Sequence, residues 1–139
     1  METDDKLCLN PNEMAFRKIY WPLLADRKVT RVFRPGNRPC GMWRGYCGGQ
    51  LVIARVLDCI GADWAKVAPQ FVEGLEREIK IKEVVIKKIS ELVSEDYVGA
   101  TPDIYDVISL QYNLGLIYNL FPEDIGPDSF VTITTFAYV

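Results

Sequence analysis

Hydrophobic positions along the chain fall into short runs of changing period. Asn10-Pro11-Asn12-Glu13 carries helix-start chemistry, with Asn10 as cap, Pro11 at the first position and Glu13 in the first turn. Met14, Ala15, Ile19 and Leu23 follow at helical spacing, so a helix is predicted from Pro11 to about Ala25, kinked or split at Pro22. Lys28 to Arg34 alternates apolar and basic residues and predicts a strand, closed by the turn-forming Pro35-Gly36-Asn37. Gly48-Gly49 predicts a hairpin between Cys40–Cys47 and Gln50–Ile60. Gln50–Ile60 is apolar on both faces and predicts a central strand.

In the second half, a short helical stretch interrupted by Pro69 is predicted from Ala62 to about Glu73. Leu75 to Val93 reads as a helix. Leu75, Ile79, Ile86, Ile89 and Val93 form one stripe, and Glu76–Lys80, Glu78–Lys82 and Glu83–Lys87 are favourable four-residue pairs. Thr101-Pro102 predicts the start of another helix, running to about Leu120. Ser129 to Val139, rich in β-branched and aromatic residues, predicts a final strand inserted between or beside earlier ones. The predicted class is α+β: a barrel-like mixed or antiparallel sheet of about five or six strands, with a helical insertion before the last strand.

Composition narrows this picture. A chain of 139 residues with 49% hydrophobic and 25% charged residues fits one globular domain over residues 1–139. Its apolar runs are too short for a membrane span, which takes about 18 residues, and its acidic start does not read as a signal peptide. A cytoplasmic location without a membrane partner is therefore expected. Histidine is absent, so Ser-His-Asp and Cys-His catalysis within one chain are excluded, and acid–base chemistry would fall to Lys, Glu, Asp, Tyr or Cys. Cys8, Cys40, Cys47 and Cys59 contain no C-x-x-C pair. A regular hairpin would point Cys40 and Cys47 to opposite faces. That leaves Cys40 and Cys59 as the pair to consider for a disulfide, and predicts neither a metal site nor a cofactor.

Charge is distributed unevenly. The net charge is −3, yet Arg17 to Arg44 carries +7 and Ile89 to Val139 carries −8 without a single Lys or Arg. Either the two halves pair in the fold, or the basic segment forms a focused anion site. As a site, it offers Lys28, Arg31, Arg34 and Arg38 to phosphates, with Trp43 or Tyr46 as a stacking surface.

Leu24-Ala25-Asp26-Arg27-Lys28-Val29-Thr30-Arg31 resembles the G-x-K-T-x-T-x-R entry motif of ASCH domains in the PUA-like superfamily, with Asp26 where that motif has glycine. Val131 to Phe136 is similar to their closing strand, and Val72-Glu73-Gly74 to their short acidic stretch. The resemblance implies a small β-barrel with helices and an RNA-related ligand. One branch is similar to amidohydrolases acting on acetylated cytidine through Lys, Thr and Glu, for which the nearest counterparts are Lys28, Thr30 and Glu73.

Three functions follow as expectations. The first is binding of RNA or a nucleotide in a local basic cleft. The second is hydrolysis of a modified nucleoside, with Lys28 as base, Thr30 as nucleophile or water-orienting group, and Glu73 as proton shuttle. The third is protein interaction, including a homodimer through the Thr101–Leu120 helix, which is nearly free of charge. Binding is preferred, because a structural role seldom needs five basic residues between Arg27 and Arg38.

Overall fold

The computed structural model describes residues 10–42, 45–58, 71–118 and 120–139. Five strands form one mixed sheet in the order β1-β3-β4-β5-β2. They are β1 (Glu13–Arg17), β2 (Arg31–Pro35), β3 (Leu51–Leu57), β4 (Phe71–Lys88) and β5 (Phe130–Tyr138). The sheet curls into a half-barrel whose edge strands, β1 and β2, are joined by a bond from Arg34 Nη2 to the Ala15 carbonyl at 2.9 Å. Among the described residues, two α-helices, α1 (Trp21–Ala25) and α2 (Val107–Tyr118), and several single 3-10 turns accompany the sheet in an α+β architecture. Among the described residues no helix is long and apolar enough to cross a membrane.

β1 lies where a longer helix is predicted. Met14 and Phe16 alternate into the core, and the strand runs parallel to β3 in a register that places Glu13 beside Ile53 and Arg17 beside Leu57. The helical part of that prediction shrinks to α1, where Pro22 sits in the first turn and so kinks nothing. Arg27, at φ 57°, ends α1 in the left-handed region, and the N–H of Lys28 reaches back to the Leu23 carbonyl.

The largest correction concerns the Leu75–Val93 helix. Residues 71–88 form one 18-residue strand. Ile79 and Ile81 are buried between exposed Glu78, Lys80 and Lys82, a period of two. The first half of β4 pairs with β3 and the second with β5, both antiparallel, with irregularities at Arg55/Leu57 and Ile81/Glu83. Such bulges sharpen twist and let one long strand bend around the curl. β5 therefore lies inside the sheet, between β4 and β2, as the sequence predicts for a closing strand.

The predicted hairpin survives only as its turn. Gln50 N–H donates to the Cys47 carbonyl across Gly48-Gly49, but residues 36–42 and 45–50 lie on no strand, and β3 takes β1 and β4 as its neighbours. Since Cys40 and Cys47 are not on a strand, the parity rule does not apply to them. They form a disulfide with a Cα–Cα distance of 4.7 Å, so Cys40 is not paired with Cys59. Cys59 and residues 62–70 of the expected Ala62–Glu73 helix lie outside the described residues, while Phe71 to Glu73 begin β4.

Apolar side chains pack on both faces of the sheet. One core gathers Met14, Phe16, Val32, Val52, Val56, Ile79, Ile81 and Phe136. The opposite core sets Phe33, Val131 and Ile133 against Leu110 and Leu114 of α2. Neighbours Val32 and Phe33 thus serve different cores, as strand alternation requires. α2 starts later than predicted: Asp106 and Ser109 satisfy each other's backbone N–H groups, leaving Thr101 five residues outside the helix.

Gly99 locks the start of β2. Its carbonyl accepts the N–H groups of Thr30 and Arg31, at a φ of 90°. A Cβ there would come within 2.4 Å of Thr30 Oγ1. Gly99→Ala is therefore expected to destabilise the protein by about 2 kcal/mol, through left-handed strain and the contact combined. Urea unfolding checks this, and a change below experimental error would contradict the local geometry.

Candidate functional site

The facing edges of the half-barrel leave a cleft. Its walls come from β1 and the residues after it (Arg17, Tyr20), from β2 (Arg31, Arg34), and from Thr101 and α2 (Leu114, Tyr118). The cleft has a cavity volume of about 60 Å³ and opens to solvent. Phe16, Val32 and Phe33 give it a largely apolar lining, into which a few polar groups project.

Arg17 makes the last pairing of β1 with β3, beside Leu57, where the chain turns toward α1. Its guanidinium lies 5.8 Å from the centre of the Tyr20 ring, and its Nε is buried without a hydrogen-bond partner. A buried donor left without an acceptor costs roughly 1–3 kcal/mol, so an anion placed there would recover that loss. Arg34, on β2, uses one N–H for the Ala15 carbonyl, and its guanidinium lies 5.7 Å from the Phe16 ring centre. Arg31 is more fully engaged, donating from Nε to Thr135 Oγ1 at 2.9 Å and from Nη1 to the Glu95 carbonyl at 2.7 Å. Arg31 and Arg34 leave β2 on opposite faces but both reach the cleft, because β2 is an edge strand and the cleft wraps around it.

Beside the cleft, Asp103 holds two of the lining side chains, Tyr20 and Thr101. Tyr20 Oη donates to Asp103 Oδ2 at 2.8 Å, and the Thr101 hydroxyl donates to Oδ1. Asn113 Nδ2 holds the Asp103 backbone carbonyl at 2.9 Å, fixing the segment to α2. Burial pushes the Tyr20 phenol up to about 12; its hydrogen bond to Asp103 and the charge of that carboxylate add to the rise, and Arg17 opposes it. Burial likewise raises Tyr138 to about 12, against the pull of Arg77 and Arg27, and its hydroxyl donates to the Val29 carbonyl. These phenols hold their protons more tightly folded than unfolded. Their contribution to stability is thus complete below pH 10 and is lost as pH rises from 10 toward 12. Ultraviolet titration of the native protein is expected to show two tyrosines still protonated at pH 11; complete ionisation by that pH would contradict the buried bonds.

The other predicted site residues are scattered. Lys28 is exposed in the turn after α1, Thr30 is half-buried before β2, and Glu73 is exposed on β4. Among the described residues no hydrogen bond or ion pair joins these three side chains. Arg38 donates its backbone N–H to Thr132 Oγ1, and its guanidinium lies 5.8 Å from the centre of the Tyr118 ring on the cleft wall. Tyr46 is buried in the core with its hydroxyl on the Glu13 carbonyl, so it offers no stacking face. Trp43 lies outside the described residues.

The two charged halves do not neutralise each other at this site. Among the described residues, Arg17, Lys28, Arg31 and Arg34 form no ion pair, and the ion pairs present are Arg55 with Glu13 and Glu76, and Lys87 with Asp96. Sequence reasoning missed Arg17, Tyr20, Thr101 and Asp103 as members of one cleft. Tyr20 reads as a packing aromatic and Thr101-Pro102-Asp103 as a helix start, and nothing local to either brings them together.

No family model matches the chain, and no curated protein matches it. Among solved structures, the hypothetical protein PH0355 superimposes with a TM-score of 0.54 at 13% identity, covering 91% of this chain and 97% of that one. Protein EF3133 from Enterococcus faecalis V583, of family model DUF984, gives a TM-score of 0.48 at 12% identity over 87% of this chain and 70% of its own. At this identity the likeness to PH0355 concerns the fold alone.

Proposed function

We propose that the protein is a PUA-like module that binds RNA or a nucleotide, and that the cleft between β1 and β2 receives a phosphate-bearing part of that ligand. The observation that carries this reading is the buried Arg17 Nε, without an acceptor, in an apolar cleft that also holds Arg31 and Arg34. Guanidinium groups match phosphate geometry, and aromatic side chains suit a base. Separation of Lys28, Thr30 and Glu73 favours binding over hydrolysis. The PUA-like part rests on the resemblance of Leu24–Arg31 and on the curled mixed sheet that this run enters.

The test titrates labelled single-stranded RNA, duplex RNA and DNA at two salt concentrations, with Arg17→Met and Arg34→Met alongside. Affinity for at least one of them is expected to fall tenfold or more in each variant. For single-stranded RNA, the log–log salt dependence is expected to flatten by about 0.7 for each phosphate that the variant no longer neutralises. Melting temperatures of both variants separate a binding loss from unfolding. Absence of binding to all three at low salt refutes the reading.

A further inference from the structure

Building on the binding reading just given, we infer that the cleft takes one nucleotide carrying a terminal phosphate monoester, and not an internal stretch of a polynucleotide. Two side-chain bridges cross the cleft. Arg34 spans from β2 to the Ala15 carbonyl on β1, and Tyr20 spans from the segment after β1 to Asp103 ahead of α2. A groove that tracks a strand needs an open path for the backbone on both sides of the bound base. Here the same gap is bonded across at two places.

Charge points the same way. An extended strand is held by cations spaced along its phosphates. The cleft wall formed by Ala100, Thr101, Ile104, Leu114, Ile117 and Tyr118 carries no charged side chain of its own. Asp103 stands beside that wall with both carboxylate oxygens already accepting hydroxyl protons. Phosphates flanking a bound nucleotide would meet this uncharged wall, where Arg38 stands over Tyr118, whereas a single phosphate between β1 and β2 meets both Arg17 and Arg34. A monoester brings close to two negative charges and three acceptor oxygens, enough for Arg17 Nε and for N–H groups of Arg34 beyond the one given to Ala15. An internal phosphodiester brings one charge and two free oxygens. Tyr20 is a neutral donor bonded to Asp103, so it adds no negative charge against the phosphate.

Calorimetric titration of the whole protein distinguishes the possibilities. The probes are cytidine, cytidine 5′-monophosphate, adenosine 5′-monophosphate, and an eight-nucleotide single-stranded RNA with either a 5′-phosphate or both ends blocked. At least one monophosphate is expected to bind tenfold or more tightly than cytidine, and Arg17→Met is expected to abolish that difference while keeping its native melting profile. The 5′-phosphorylated RNA is expected to bind at least tenfold more tightly than the blocked one. Equal binding of the two RNAs, or of cytidine and the monophosphates, overturns the single-nucleotide inference and leaves RNA recognition standing. No binding of any probe overturns both. If Arg17→Met unfolds, Arg17→Lys replaces it: the charge stays, the Nε–H is lost, and the monophosphate preference is expected to shrink at least threefold.

Discussion

Replacing Phe136 with alanine is expected to lower stability by about 3–5 kcal/mol, the usual cost of emptying an aromatic site in a packed core. Phe136 is 1% exposed on β5, which has paired strands on both sides. Its ring meets Phe16 edge-on at 6.3 Å between centres and Tyr138 at 5.7 Å. Its backbone N–H donates to the Thr30 carbonyl, which ties β5 to the run entering β2. The cavity would therefore open beneath β1 and β5 together, where neither strand can collapse without breaking its ladder. Guanidinium unfolding measures the loss through the transition midpoint. A cost below 1 kcal/mol would mean that β5 is not an interior strand.

Arg55→Leu is expected to cost about 2–4 kcal/mol, because removing the guanidinium strands the buried Glu13 carboxylate. Arg55 lies beside Glu76 across the β3–β4 ladder and reaches Glu13 on β1 at 2.8 Å, so one guanidinium ties three strands. Its Nε lies 3.2 Å from Glu76 Oε2 at an angle that makes an ion pair without a hydrogen bond. The guanidinium also packs 4.1 Å from the Phe71 ring centre. Glu13 is 8% exposed and would keep only the Asn10 N–H as partner. The estimate sits below that for a fully buried pair because Arg55 remains a quarter exposed. Glu13→Gln, which preserves that N–H acceptor, is expected to cost less than Arg55→Leu in the same unfolding assay. The reverse order would mean that Glu13 is well solvated and that the cluster contributes little.

The parts of the fold legible in the sequence are those with one unambiguous period. β5 serves a core on each face, with Phe136 on one and Val131 and Ile133 on the other, and this leaves a run of β-branched residues; β3 buries Val52, Ala54 and Val56 on one face. β4 is different. Its Ile79 and Ile81 alternate, but the irregularity after Ile81 breaks that alternation, and the surviving apolar positions imitate a helical stripe. Its glutamates and lysines, four apart, suit a helix surface equally well. A strand read as a helix here follows from two periods overlaid on one segment. β1 fails for a related reason: Met14 and Phe16 alone carry its alternation, against a strong helix-start pattern just before them. The cleft is half legible. Clustered arginines announce an anion site, and Arg31 and Arg34 do reach it. Arg17, Tyr20 and Asp103 meet only because the sheet curls edge to edge, which no local pattern encodes.

The most direct test of the cleft as the binding site follows the arginine Nε–H signals by nitrogen-resolved nuclear magnetic resonance while cytidine 5′-monophosphate is added. Arg77 supplies the internal control, since its Nε is also buried without a partner, but its guanidinium stacks 5.0 Å from the Trp21 ring centre, outside the cleft wall. The signals of Arg17 and Arg34, assigned by substitution, are expected to move saturably while that of Arg77 stays in place. Movement of Arg77 or of exposed lysines, with Arg17 unmoved at saturation, would contradict the site.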